Sequence, residues 1–145
     1  MKNEIEIQIK VPNQTRYLSL IGHVGEDLAH QIKGFCGNRD VLANNINLVL
    51  TEAMANAIKH ANEGDPDKQV DIRISIADND LIIRVFDQGQ GFDLNTVPEP
   101  DFEDRNQLEA SGRGIYIIKS LMDSVVYRKT EEGNVLEMRK HLKVQ

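Results

Sequence analysis

Three short patches in this 145-residue chain hold residue types that could do chemistry together. Glu52 and Asn56 lie four residues apart in a stretch of helical period, and Lys59 and His60 follow Asn56 by three and four. Residues at these offsets share one helical face. A carboxylate, an amide oxygen and an ammonium on one face can serve a proton, a magnesium ion and a phosphate. The plainer reading is the solvated face of an amphipathic helix, but Ala53 and Ala57 leave room for something to approach. The second patch is Asp87-Gln88-Gly89-Gln90-Gly91-Phe92, directly after a strand-like run. Its glycines allow a tight turn and close approach of backbone to a ligand, although an ordinary glycine-rich turn reads the same. The third, Ser111-Gly112-Arg113-Gly114-Ile115-Tyr116, opens a helical stretch. Free N–H groups at a helix N-terminus make an anion site, and a helix start with loose glycines looks alike. The dinucleotide fingerprint Gly-x-Gly-x-x-Gly fails because Ile117 stands at its last glycine, and the chain contains no Gly-x-x-x-x-Gly-Lys-[Ser/Thr] loop.

The elements that must position these patches follow from periodicity. Residues 3–11 alternate, with Ile5, Ile7, Ile9 and Val11 on one side, which predicts a half-buried strand. Leu18, Ile21, Val24, Leu28 and Ile32 predict a helix over about 14–34, weakened by Gly22 and Gly25 and stopped near Gly34. Leu42, Ile46, Val49, Leu50, Ala53, Ala57 and Ala61 form the stripe of a stronger helix over about 39–62. Residues 69–77 and 81–86 read as a hairpin joined at Asn79-Asp80. From Asp87 to Gly114 the period is lost, and four of the ten glycines and two of the four prolines crowd into it. A loop that long within one domain is expected to be functional. A helix over 114–122 and two strands over 124–130 and 134–142, joined at Glu132-Gly133, complete the chain. The order predicts an α+β two-layer sandwich: a mixed, mostly antiparallel sheet with helices on one face.

Composition narrows the function classes. The length suits a single domain over 1–145 with no second core. Net charge is −6, so no nucleic-acid footprint is expected. The lone Cys36 can form no internal disulfide, has no zinc-site company, and points to a reducing, cytoplasmic compartment. The mixed charges of residues 1–10 fit neither a signal peptide nor an anchor, and no apolar run reaches the ~18 residues of a membrane helix.

In this order and spacing, the three patches resemble the GHKL ATPase fold, the histidine-kinase-like fold shared by gyrases, Hsp90-type chaperones and mismatch-repair ATPases. The resemblance runs from about Ile5 to Leu142. The stretch Leu50-Thr51-Glu52-Ala53-Met54-Ala55-Asn56-Ala57-Ile58-Lys59-His60-Ala61 and the run from Gly112-Arg113-Gly114-Ile115 to Leu121-Met122-Asp123 look like the bacterial anti-sigma factor serine kinases. The resemblance implies ATP and Mg2+ as cofactors and roles for particular residues. Asn56 would be the magnesium ligand, and Glu52 the catalytic base for a partner serine. Asp87 would accept the adenine amino proton while Gly89 and Gly91 let the backbone pass the base. Gly112, Arg113 and Gly114 would cradle phosphates, Lys59 would reach them, and 92–111 would be a lid. The fold often places a threonine after a glycine in its penultimate turn; here Gly133 is followed by Asn134 and Val135. The lid's Asp93, Glu99, Asp101, Glu103, Asp104 and Glu109 are read as facing solvent.

The implied function is a serine/threonine kinase acting on a small anti-sigma factor antagonist, with a sigma factor as a further partner, a homodimer compatible, and no nucleic acid or membrane. The competing reading is a nucleotide-dependent binding switch with little chemistry. A histidine-kinase catalytic domain fits less well. Only about 45 residues precede the Glu52 helix, too few for a dimerising hairpin, and His23 and His30 read as surface or packing residues.

Overall fold

The computed structural model describes residues 3–62, 64–88 and 112–145. Strands β1 (Ile5–Pro12), β2 (Gln69–Ala77), β3 (Asp80–Asp87), β4 (Ser124–Thr130) and β5 (Gly133–His141) form one sheet in the order β1-β2-β3-β5-β4. Every pairing described is antiparallel, so the expected admixture of parallel strands is not seen among these residues. The strands alternate. Val70, Ile72, Ile74 and Ile76 of β2 turn to the same side as Leu81, Ile83 and Val85 of β3 and Leu136 and Met138 of β5. Among the described residues three α-helices cover that side: α1 (Leu18–Gln31), α2 (Arg39–Asn56) and α3 (Gly112–Leu121). Ile21, Leu28, Ile46, Leu50, Met54, Ile115 and Ile118 close the core from above. Each such side chain contributes about 1.5–3 kcal/mol of burial.

Local chemistry sets the boundaries. The β2–β3 turn is Asp78-Asn79, one residue earlier than the alternation suggests. Both residues take positive φ (52° and 66°), as a two-residue turn of mirror-image type demands and as Asp and Asn tolerate. The first helix is not continuous from 14. A 3-10 turn (Thr15–Tyr17) leads into α1. Asn38 caps α2, its side-chain oxygen accepting from the Val41 N–H at 3.1 Å. After Asn56 the helix widens into a π turn, Ala57–Ala61, in which the Asn62 N–H reaches back five residues to the Ala57 carbonyl.

The two glycines that count against α1 in isolation are what let it pack. A Cβ on Gly25 would stand 2.6 Å from Leu50 Cδ1 and 2.7 Å from Ile46 Cγ2, and one on Gly22 would stand 2.8 Å from Thr51 Oγ1. Helix propensity gives way to the closeness of α1 and α2, which holds α2 in place. Gly25→Val is therefore expected to destabilise the protein by about 1–3 kcal/mol through overpacking. A lowered urea midpoint in equilibrium unfolding would show it, with His23→Ala on the exposed side of α1 as the neutral comparison.

The opposite side of the sheet is polar. It carries a groove of about 510 Å³ whose lining includes Arg73, Arg84, Phe86 and Arg128. Its arginines are already engaged: Arg73 with Glu132 at 2.7 Å and Arg84 with Glu137 at 2.8 Å, while Arg73 also lies over the Phe86 ring.

Candidate nucleotide site

The last turns of α2 face the start of α3. Glu52 and Asn56 stand one turn apart on α2, as their spacing predicts. The Glu52 carboxylate lies against α3: Oε2 is 2.9 Å from where a Cβ of Gly114 would stand. Any larger residue at 114 would push into the carboxylate, so the glycine sets how near the first turn of α3 comes to α2. Asn56 is buried at 8% exposure, and among the described residues its amide makes no hydrogen bond. The amide is not sealed from solvent, since among the described residues Arg73 Nε alone is a buried side-chain polar atom without a partner, and its oxygen is a hard donor suited to a magnesium ion. Among the described residues no group of three or more His, Cys, Asp or Glu side chains converges. A metal at Asn56 would take most of its ligands from phosphate and water, which is magnesium's habit.

Lys59 is exposed and sits in the π turn. A π turn rotates less per residue than an α turn, so the offset of three from Asn56 to Lys59 falls well short of a full turn. Arg113 is exposed in the first turn of α3, which begins at Gly112. Gly89, Gly91 and the expected lid at 92–111 lie outside the described residues.

Asp87 ends β3 on the helix-covered side and is only 2% exposed. Its Oδ1 accepts a hydrogen bond from Asn134 Nδ2 at 3.0 Å, and its Oδ2 accepts from the Tyr127 hydroxyl at 2.5 Å. Asn134 is opposite Asp87 in the β3–β5 register. Gly133 makes that approach feasible, with φ at 115° and a Cβ position only 2.6 Å from the Asp87 carbonyl oxygen. Burial foremost, then the hydrogen bond to Asp87 and its charge, pushes the Tyr127 hydroxyl well above its ordinary pKa, so it stays a donor.

Sequence reasoning missed two contributors. One is Tyr127, which the alternation of 124–130 places on the inner side without naming a partner. The other is Asn62, fully buried just past the π turn. Its Oδ1 accepts the Gln88 N–H at 2.9 Å and its Nδ2 donates to Asn13 Oδ1 at 3.0 Å. Asn62 thus ties the end of the α2 segment to the backbone beside Asp87. A polar residue at the last position of a helix reads as an exposed terminus, and nothing in its neighbours signals full burial.

Comparison with known proteins bears on this arrangement. Residues 11–140 match the family described as the histidine kinase-like ATPase domain. The chain is 36% identical over 99 residues to an anti-sigma F factor of Anoxybacillus flavithermus, covering 67% of this chain and 68% of that protein. It is 30% identical to the anti-sigma F factor of Bacillus velezensis over 144 residues, 98% of this chain and 94% of the relative. Similarity to the serine-protein kinase RsbW of Listeria innocua is 28% over 142 residues, 94% and 87% of the two chains.

Proposed function

The chain belongs to the family of histidine-kinase-like ATPase domains, in the branch of the anti-sigma factor serine kinases, and on that premise we propose that it transfers the γ-phosphoryl group of ATP to a serine or threonine hydroxyl of a small antagonist protein. The observation that carries the chemistry is the meeting of α2 with α3. There Glu52 and a largely buried Asn56, whose amide makes no hydrogen bond among the described residues, share one helical face beside the N-terminal turn of α3. In the proposed step Glu52 takes the proton of the partner's hydroxyl as that oxygen bonds to the γ-phosphorus. The bond from phosphorus to the bridging oxygen breaks, and ADP leaves with the electron pair. Such transfer depends mainly on positioning and charge stabilisation. Asn56 would hold a magnesium ion, which when bound neutralises phosphate charge. Gly112, Arg113 and Gly114 would receive phosphate oxygens at the start of α3, where N–H groups are free to donate. Lys59 would approach the phosphates from the π turn, and Asp87, with Gly89 and Gly91, would receive the adenine. Sequestration of a sigma factor belongs to the same proposal, supported by the names of the relatives. No helix among the described residues is long and apolar enough to cross a membrane.

The test is incubation with radiolabelled ATP, magnesium and each small antagonist-like protein of the same genome. Label is expected on a serine or threonine of one of them. Asn56→Ala is expected to weaken ATP binding in magnesium by roughly tenfold or more while leaving binding in chelator nearly unchanged. Equal ATP affinities of the two proteins in magnesium would remove Asn56 as the ligand.

A further inference from the structure

The strongest unassigned feature is the hydrogen bonding behind Asp87. We propose that Tyr127 and Asn134 are positioning residues that set base specificity, together holding the Asp87 carboxylate as an acceptor so that the site takes adenine and refuses a 6-oxopurine. This rests on the reading of Asp87 as the adenine contact and adds what makes that contact selective.

Both oxygens of Asp87 receive a donor from the protein: the Tyr127 hydroxyl at Oδ2 and the Asn134 amide at Oδ1. The two come from different strands, β4 and β5, so the carboxyl plane is fixed from two directions. An ionised carboxylate accepts only; a protonated one also donates. The distinction decides which base fits. Adenine presents an amino donor at its sixth position, and hypoxanthine presents a carbonyl oxygen there. A carboxylate attracts the first and repels the second. A carboxylate that lost these two donors could rotate out of line with the amino group and would lose the discrimination. Burial and the neighbouring Asp87 keep the Tyr127 proton in place, so the tyrosine serves as a donor throughout the neutral range. The register brings the three residues together. Tyr127 is opposite Leu136, two residues along β5 from Asn134, and Asn134 is opposite Asp87. The threonine that often follows the glycine in this fold is here an asparagine, whose longer amide reaches Oδ1 directly.

The experiment measures Kd values for ADP and inosine diphosphate by calorimetry on the full chain, Tyr127→Phe and Asn134→Ala. Tyr17→Phe is the control that loses a hydroxyl elsewhere. The parent is expected to prefer ADP strongly. Each of the two variants should lose roughly tenfold of the ADP-over-IDP ratio, chiefly through weaker ADP binding. A merely structural role would weaken both nucleotides alike and leave the ratio unchanged. Tyr127→Phe removes one oxygen from a half-buried ring, and its melting temperature is recorded beside the titrations. Should that variant not fold, the ratio in Asn134→Ala decides. Parental preference for ADP with an unchanged ratio in the folded variants overturns the role of Tyr127 and Asn134 alone. A parent that binds ADP and IDP equally overturns the placement of adenine at Asp87 and this inference with it.

Discussion

Glu52→Gln is expected to lower phosphoryl transfer to the partner by roughly a hundred- to ten-thousandfold, the usual share of general-base catalysis, with ATP and partner binding retained. The substitution keeps the volume beside Gly114, where the Glu52 carboxylate fills the gap left by the missing Cβ. It keeps a hydrogen-bonding group and removes the capacity to take a proton. A residual rate is expected because positioning and charge stabilisation carry most of this reaction. If Glu52 instead served only to seat α3, the variant would lose stability and binding in proportion to transfer. The measurement is label transferred per minute beside an ATP titration on the same preparations. Full transfer by the variant would exclude Glu52 as the base. No transfer by the parent to any partner, with nucleotide-dependent binding intact, would turn the assignment toward a binding switch.

How much of this was legible depends on the range of the interaction. The strands and helices carry their own period, and Asn38, Asp78 and Asn79 act within a few residues. Those features could be read to within a few residues, with the first helix expected four residues too early and the turn displaced by one. Gly22 and Gly25 show where a local argument misleads. By propensity they weaken a helix, and only the packing of α1 on α2 shows why no larger residue serves. The π turn left no mark either, because Ala57 and Ala61 continue the apolar stripe of α2 whether or not the turn widens. Glu52, Asn56 and Asp87 could be singled out because type and spacing lie within one element. Tyr127 could not. Its contact with Asp87 spans 40 residues and depends on the register of β3, β5 and β4 together. Asn62 likewise acts across 49 residues on Asn13 and 26 on Gln88.

Asp87→Asn is expected to weaken ADP and ATP together by roughly ten- to a hundredfold, since a hydrogen bond to a charged group is worth about 1.5–3 kcal/mol. The carboxylate is 2% exposed at the end of β3, apart from the α2–α3 junction that would meet the phosphates. The loss should therefore be blind to phosphate number, and the ratio of ATP to ADP affinity should stay as in the parent. The surroundings sharpen the effect. One carboxylate oxygen becomes an NH2 group, yet Tyr127 and Asn134 both approach as donors. If the new NH2 faces Asn134 a donor meets a donor, and if it faces Tyr127 the hydroxyl must accept and its own proton loses the Asp87 acceptor, at a cost of about 1–3 kcal/mol either way. A melting temperature lower by about 2–8 °C should accompany the loss of affinity, so the titrations are run where both proteins remain folded. Calorimetry separates the outcomes. A lower melting temperature with parental ADP affinity would mean that Asp87 only braces β3 against β4 and β5. A loss confined to ATP would move Asp87 to the phosphate end of the site. Equal losses for ADP and ATP, with magnesium dependence unchanged, are the result that a contact with the base requires.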